Sequence, residues 1–149
     1  MSWWSRLFGG HDSKNRRVDY LSEAIALERQ GDFDAALTSY RLALRNSPND
    51  PRILQNIAIA FSRTGRLEDA IRSYRRALEV APELSGAHYG LAFLLLKRGD
   101  RAGAIRHLDA FLVSPPENGG GEMERWVRHA TATLDALRTG AELPAPPDV

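Results

Sequence analysis

Histidine is the side chain most often used for metal binding and for proton transfer near neutral pH. The chain contains four histidines, His11, His88, His107 and His129. No two of them have the i, i+4 spacing that places two imidazoles on one face of a helix, as in helical zinc sites. We therefore expect His88 to fill a packing position and His107 and His129 to lie on helix surfaces. No metal site is predicted.

Other patterns that could support catalysis or phosphate binding are incomplete. Asp32 and Asp34 follow a glycine that is typical of a turn, where solvated carboxylates are common. The glycines at 119–121 are not followed by the Lys-Ser/Thr pair of a phosphate-binding loop. The chain has no cysteine, which excludes disulfides and thiolate chemistry. We predict that the chain has no catalytic residues, is not an enzyme and needs no cofactor.

Charge and hydropathy limit the remaining classes of protein. Twenty basic residues nearly balance nineteen acidic ones, whereas nucleic-acid-binding domains usually carry a basic excess. No apolar run of about 18 residues, the length needed to span a membrane, is present. The first ten residues lack the basic start and apolar core of a secretory signal. We expect one domain, a cytoplasmic location and no nucleic-acid partner.

A period of 34 residues organises the chain. It separates three glycines, three alanines and three prolines: Gly31, Gly65 and Gly99, then Ala36, Ala70 and Ala104, then Pro48, Pro82 and Pro116. Apolar residues recur at helical spacing before and after each glycine, so each period predicts two helices joined at a residue that tolerates positive φ. Because one helix pair cannot cover its own apolar face, successive pairs must stack.

These marks resemble the tetratricopeptide repeat, and the resemblance covers about two thirds of the chain. The second unit carries the signature at Leu54, Ile57, Ala58, Phe61, Ala70, Tyr74, Ala77 and Pro82. The resemblance implies an all-α, right-handed solenoid of three helix-turn-helix units at 17–50, 51–84 and 85–118. A C-terminal capping helix is predicted over 122–139, between a glycine linker at 119–121 and a disordered, proline-rich tail at 140–149.

In this family the first helices of successive units line a concave groove that holds a peptide. Transferred position by position, the resemblance implies the groove residues Leu21, Ile25, Gln55, Asn56, Ile59, Arg63, Tyr89, Phe93, Leu96 and Lys97. One subclass clamps the terminal carboxylate of chaperone tails with five basic and amide residues. Only Asn56 matches that set, and the other four columns hold Leu21, Ile25, Gly86 and Gly90. The resemblance therefore favours a mostly apolar ligand, with Arg63 and Lys97 facing acidic residues at its edge.

Residues 1–16 form a separate, tryptophan-rich amphipathic segment. Trp3, Trp4, Leu7 and Phe8 fall on one side of a short predicted helix, and exposed tryptophans favour interfaces. Three roles stay open for this attachment segment. In the first, the segment covers the apolar start of the solenoid; in the second, it docks on a partner protein; in the third, it contacts the inner face of a membrane peripherally.

The predicted function is a protein–protein interaction module, a scaffold or adaptor that assembles complexes by binding a largely apolar peptide or helix in its groove. One alternative is a permanent structural subunit of a larger, membrane-associated complex, attached through the tryptophan-rich segment. A second is self-association, in which the N-terminal helix of one chain occupies the groove of another. In each case the partner is a protein or peptide.

Overall fold

The structure, a computed structural model, describes residues 19–116 and 120–146. The predicted attachment residues Trp3, Trp4, Leu7 and Phe8 lie outside the described residues. Within the described ranges there are seven α-helices and no strand: α1 (Tyr20–Arg29), α2 (Phe33–Asn46), α3 (Pro51–Arg63), α4 (Leu67–Val80), α5 (Ser85–Arg98), α6 (Arg101–Val113) and α7 (Gly120–Thr139). The predicted all-α fold is confirmed. None of these helices combines the length and the apolar character needed to cross a membrane.

Short turns containing glycine join the helices of each pair. The turn glycines have positive φ: Gly31 (80°), Gly65 (77°) and Gly99 (88°). A Cβ would be strained in this conformation, which is why the turns select glycine. In the third turn Asp100 begins α6, because its side chain accepts a hydrogen bond from the backbone amide of Gly103 at 2.8 Å.

The core runs through the stack of helix pairs. Ala36, Ala70 and Ala104, which share one position of the 34-residue period, are each 0 % exposed. Their small side chains let the paired helices approach closely. The pairs are themselves joined, since α2 packs against α3 and α4 packs against α5. Of the first helices, α3 contacts α5 directly, and residues of α1 and α3 line one hollow, so α1, α3 and α5 follow one another along the same surface.

The capping helix α7 begins two residues earlier than predicted. Gly120 and Gly121 belong to the helix and not to the linker predicted at 119–121, whereas residue 119 lies outside the described residues. Glycine is tolerated there because the first amides of a helix have no intrahelical partner to lose. The helix packs against α6 and buries Leu134 and Leu137.

The tail predicted to be disordered over 140–149 is described as far as residue 146. Gly140, with a φ of 75°, ends α7, and residues 141–146 continue without helix or strand. Pro144 is half-buried, whereas the other residues of 141–146 are exposed. The predicted disorder of residues 140–149 stays a prediction.

Candidate binding groove

The predicted groove residues lie on α1, α3 and α5, the first helix of each pair. Seven of the ten are half-buried: Leu21, Ile25, Gln55, Asn56, Ile59, Phe93 and Leu96. The five apolar members pack against the core on one side and leave the other side open. Arg63 and Lys97 are exposed at the C-terminal ends of α3 and α5. The groove thus has a partly apolar floor and a basic edge.

A hollow of about 480 Å³ opens where α1, α2 and α3 meet. Three predicted groove residues, Ile25, Asn56 and Arg63, line it. The other lining residues are Glu28, Arg29, Phe33 and Tyr40. The hollow therefore offers a ligand an apolar surface, an amide, one carboxylate and two guanidinium groups.

The carboxylate of the hollow is held in place by a tyrosine from the second helix. The Tyr40 hydroxyl donates a hydrogen bond to Glu28 Oε2 at 2.5 Å. Burial raises the pKa of Tyr40 above its usual range, and the bond to Glu28 raises it further. Tyr40 therefore stays a donor, and one oxygen of Glu28 is directed at it. Tyr40 was not predicted as a groove residue, although its spacing of 34 from Tyr74 is visible in the sequence.

Tyr74 lies 34 residues after Tyr40, at the same position of the next repeat. Its side chain lies over Gly90, where an added Cβ would be only 2.4 Å from the Tyr74 hydroxyl oxygen. Burial raises the pKa of Tyr74 to about 12, the charge of Arg63 lowers it, and that of Glu28 raises it. The hydroxyl is therefore within electrostatic reach of two residues that line the hollow.

Side chains from neighbouring helices occupy the space beside the two glycines of α5, Gly86 and Gly90. A Cβ at Gly86 would lie 2.6 Å from Gln55 Nε2, just as one at Gly90 would meet Tyr74. A long basic side chain at either position would displace these neighbours. Gln55 is flexible and can move, but the rigid ring of Tyr74 gives a steric reason, beyond residue identity, for the absence of a basic clamp residue at Gly90.

Tyr89 is not the accessible groove residue that was predicted. It is 8 % exposed, and its ring centroid lies 4.6 Å from that of Trp126 and 5.1 Å from that of Phe111. Its hydroxyl is 2.9 Å from His129 Nδ1. Since Trp126 and His129 belong to α7, the capping helix covers this part of the concave surface. Phe93 stacks on His129 with a centroid distance of 4.9 Å, yet stays half-buried.

His107 and His129, predicted to lie on helix surfaces, are half-buried, and each contacts a side chain of another helix. Burial lowers the pKa of His129, and His107 Nδ1 lies 3.0 Å from His88 Nδ1. His88 Nε2 donates to the Pro82 carbonyl oxygen at 2.7 Å, so a neutral His88 accepts at Nδ1 from His107. Burial lowers the pKa of His107 to about 4, with a further contribution from His88. Within the described ranges, no three His, Asp or Glu side chains are placed to hold a metal ion.

Comparisons of sequence and structure agree with this architecture. Two models of the tetratricopeptide repeat match the chain, one over residues 27–82 and the other over residues 56–119. A comparison with curated protein sequences gives no match. The two repeat matches overlap and together span more than half of the chain.

Solved structures with the same arrangement of helices include three repeat domains. The TPR domain of Sgt2 from Aspergillus fumigatus is 28 % identical, with a TM-score of 0.67 over 87 % of this chain and 85 % of that one. SycD of Yersinia enterocolitica, solved with a peptide of the translocator YopD, is 18 % identical, with a TM-score of 0.74 over 83 % and 92 %. The TPR2B domain of yeast Sti1, in its pHsp70 complex, is 21 % identical, with a TM-score of 0.70 over 81 % and 94 %. The last two show likeness of fold alone. With its period, its helix pairs and both repeat matches in agreement, the chain belongs to the tetratricopeptide repeat family.

Proposed function

We propose that the chain is a scaffold that binds a largely apolar peptide segment in the groove formed by α1, α3 and α5. The observation that carries the proposal is a row of half-buried apolar side chains along these helices: Leu21, Ile25, Ile59, Phe93 and Leu96. We call these five residues the apolar row. An apolar row of this kind, bordered by polar groups, is typical of an interaction site.

The polar residues beside the apolar row favour a peptide as the ligand. An extended peptide presents backbone N–H and C=O groups that need hydrogen-bond partners when they leave water. The half-buried amides of Gln55 and Asn56 lie on the same helix as Ile59, and each amide both donates and accepts. They can therefore satisfy a peptide backbone without selecting particular side chains.

Peptide binding in structures of the same fold supports the proposal. SycD was solved with a peptide of YopD, and the Sti1 TPR2B domain in its pHsp70 complex. The ligand of the present chain differs from a clamped terminal carboxylate, because glycines stand at 86 and 90 in place of clamp residues and the Tyr74 ring occupies the space at Gly90. The apolar row therefore supplies the affinity in this proposal, and the amides supply the orientation.

A selection of displayed peptides on the full chain tests the proposal. The library would contain segments of about twelve residues, roughly 40 Å when extended, and enriched peptides would be titrated by fluorescence anisotropy. We expect Ile59→Glu with Phe93→Glu to weaken these peptides at least about tenfold, because truncated or charged anchors at an interface centre commonly lose that much. Enrichment of no peptide, or binding that survives the double substitution, would contradict the proposal.

The matched control places the same two charges outside the groove. Val80 and Val113 are 40 % and 82 % exposed, and they end α4 and α6, the second helices of their pairs. Val80→Glu with Val113→Glu should leave peptide affinity within about twofold of the original protein. Because Ile59 and Phe93 are half-buried, thermal melts by circular dichroism must show both double variants folded at the titration temperature.

A further inference from the structure

A basic residue occupies the same position in each repeat. Arg29, Arg63 and Lys97 follow one another at intervals of 34 residues and lie in the last turns of α1, α3 and α5. All three are exposed, and Arg29 and Arg63 line the hollow. We call these three residues the basic row. The carboxylate that lines the same hollow, Glu28, already accepts a hydrogen bond from Tyr40.

Other basic residues near the turns are neutralised by the adjacent repeat. Arg66 pairs with Asp34 at 3.7 Å, and Arg98 pairs with Glu68 at 3.1 Å. No ion pair found among residues 19–116 and 120–146 includes a member of the basic row. Ion pairs between adjacent repeats thus neutralise Arg66 and Arg98, whereas the three residues of the basic row are exposed at the edge of the groove.

The spacing of the basic row selects a ligand conformation. Packed helices lie about 8–10 Å apart, and α3 contacts α5 directly, so Arg63 and Lys97 are separated by about this distance. We assign a similar spacing to Arg29 and Arg63, which line one hollow. A polyproline II segment has three residues per turn and rises about 3.1 Å per residue, so every third side chain points the same way after about 9 Å. In a β-strand the third residue points to the opposite face. An α-helix advances about 5.4 Å per turn, so it would match the row only with acidic residues about seven positions apart and not at every third position.

Building on the proposed function, we propose that the groove binds a polyproline II-like peptide with an acidic residue at every third position. The three carboxylates pair with Arg29, Arg63 and Lys97, and the intervening apolar residues contact the apolar row. Proline suits the intervening positions because its fixed φ favours this conformation. The proposed ligand is therefore defined by the spacing of its acidic residues as well as by their charge.

A simpler explanation of the basic row makes a different prediction. Cations in the last turn of a helix interact favourably with the helix dipole, which would account for Arg29, Arg63 and Lys97 without any ligand. In that case substitution of the row alters helix stability, but the protein has no preference for a particular spacing of acidic residues. Measurements with peptides of equal charge and different spacing separate the two explanations.

Four synthetic peptides serve as probes of the full chain. The first has three repeats of Glu-Pro-Leu, and the second has the same composition with its three glutamates contiguous. The third and fourth replace every glutamate of the first by glutamine or by lysine. We expect the first peptide to bind at least about tenfold more tightly than the second and the third, since each exposed ion pair adds a fewfold in affinity. This preference should decrease as salt is raised from 0.1 M to 1 M, where the Debye length falls from about 10 Å to about 3 Å.

Two charge-reversed variants with equal net charge complete the experiment. The first is Arg29→Glu, Arg63→Glu and Lys97→Glu; we expect it to lose the preference for spaced glutamates and to prefer the lysine peptide. The second is Arg45→Glu, Arg75→Glu and Arg106→Glu, at exposed positions of α2, α4 and α6. This control should keep the preference for the spaced acidic peptide.

The remaining outcomes overturn the inference. Equal binding of the spaced and contiguous peptides, or equal effects of the two variants, would show attraction by net charge without register. If the glutamine peptide binds as tightly as the spaced acidic one, and Ile59→Glu with Phe93→Glu abolishes that binding, the apolar groove stands but the acidic register is wrong. If none of the four peptides binds, the inference is wrong, and the proposed function is still decided by the peptide selection.

Discussion

Replacement of Gly90 by alanine tests the close contact that shapes the groove floor. Gly90 lies inside α5 and has no positive φ, so alanine should be favoured there by about 1 kcal/mol on helix propensity alone. The new Cβ would, however, lie 2.4 Å from the hydroxyl oxygen of Tyr74 and 2.5 Å from the ring carbon that bears it. Tyr74 is 5 % exposed. Its rigid ring can yield only if the packing between α4 and α5 changes.

The expected magnitude follows from the difference between these two effects. Overpacking a well-filled site costs about 1–3 kcal/mol, and the gain in helix propensity offsets about 1 kcal/mol of this. We therefore expect Gly90→Ala to lower the free energy of unfolding by about 1 kcal/mol. Gly86→Ala is the control, because its Cβ would meet only the amide end of Gln55 at 2.6 Å. That half-buried, flexible side chain can rotate away, so Gly86→Ala should be neutral or slightly stabilising.

Urea unfolding followed by circular dichroism measures both variants against the original protein. The same substitution in a Tyr74→Ala background removes the ring, so Gly90→Ala should then stabilise the protein, by up to about 1 kcal/mol. The argument is refuted if Gly90→Ala is as stable as the original protein. It is equally refuted if the loss of stability persists after the ring of Tyr74 has been removed.

Two further predictions concern His107 and Asp100. Burial lowers the pKa of His107 from its ordinary value of 6.5 to about 4, so its contribution to stability is present above pH 6.5 and is lost as the pH falls towards 4. The urea midpoint should fall from pH 6.5 to pH 4.5, and His107→Gln should reduce that fall; an unchanged pH dependence would contradict the assignment. His129, whose pKa burial also lowers, leaves a residual slope of the same sign. Asp100→Ala removes the side chain that caps α6 through the Gly103 amide and should lower the free energy of unfolding by about 1 kcal/mol. Asp34→Ala, which breaks only an exposed ion pair, should change it by less than about 0.5 kcal/mol, and equal losses would argue against the cap.

The fold could be predicted because its determinants recur at one period. Gly31, Gly65 and Gly99 mark turns in which a local backbone conformation excludes other residues. The alanines of the same period mark close helix contacts that lie within a unit or between adjacent units. Such short-range constraints can therefore be recognised in the sequence from the spacing of residue types. Stacking follows from them, because each helix pair exposes an apolar face.

The covered end of the groove could not be predicted in the same way. Tyr89 occupies a ligand-facing position of its repeat, but its environment depends on α7, which follows a connection outside the 34-residue period. Nothing in the spacing determines that Trp126 and His129 meet Tyr89. The contact of His88 with His107 could have been anticipated. The two residues lie 11 and 8 positions from Gly99, so an antiparallel helix pair brings them to similar heights.

A core substitution in α7 would show whether the stack opens one repeat at a time. Leu134 is 4 % exposed in α7, and Leu37 is 2 % exposed in α2, at the opposite end of the stack. Replacing either residue by alanine should lower the free energy of local unfolding by about 2–5 kcal/mol. In a solenoid, repeats contact only their neighbours, so the loss should remain near the substitution.

Hydrogen exchange of the backbone amides distinguishes local opening from global unfolding. We expect Leu134→Ala to speed exchange in α7 and in adjoining α6, while α1 and α2 keep their protection; Leu37→Ala should give the reverse pattern. Uniformly faster exchange in both variants would show that the chain unfolds as one cooperative unit and would contradict the argument. If opening is local, release of α7 uncovers Tyr89, because Trp126 and His129 leave with the helix. The concave surface would then be extended by one aromatic residue, while the hollow between α1, α2 and α3 stays intact.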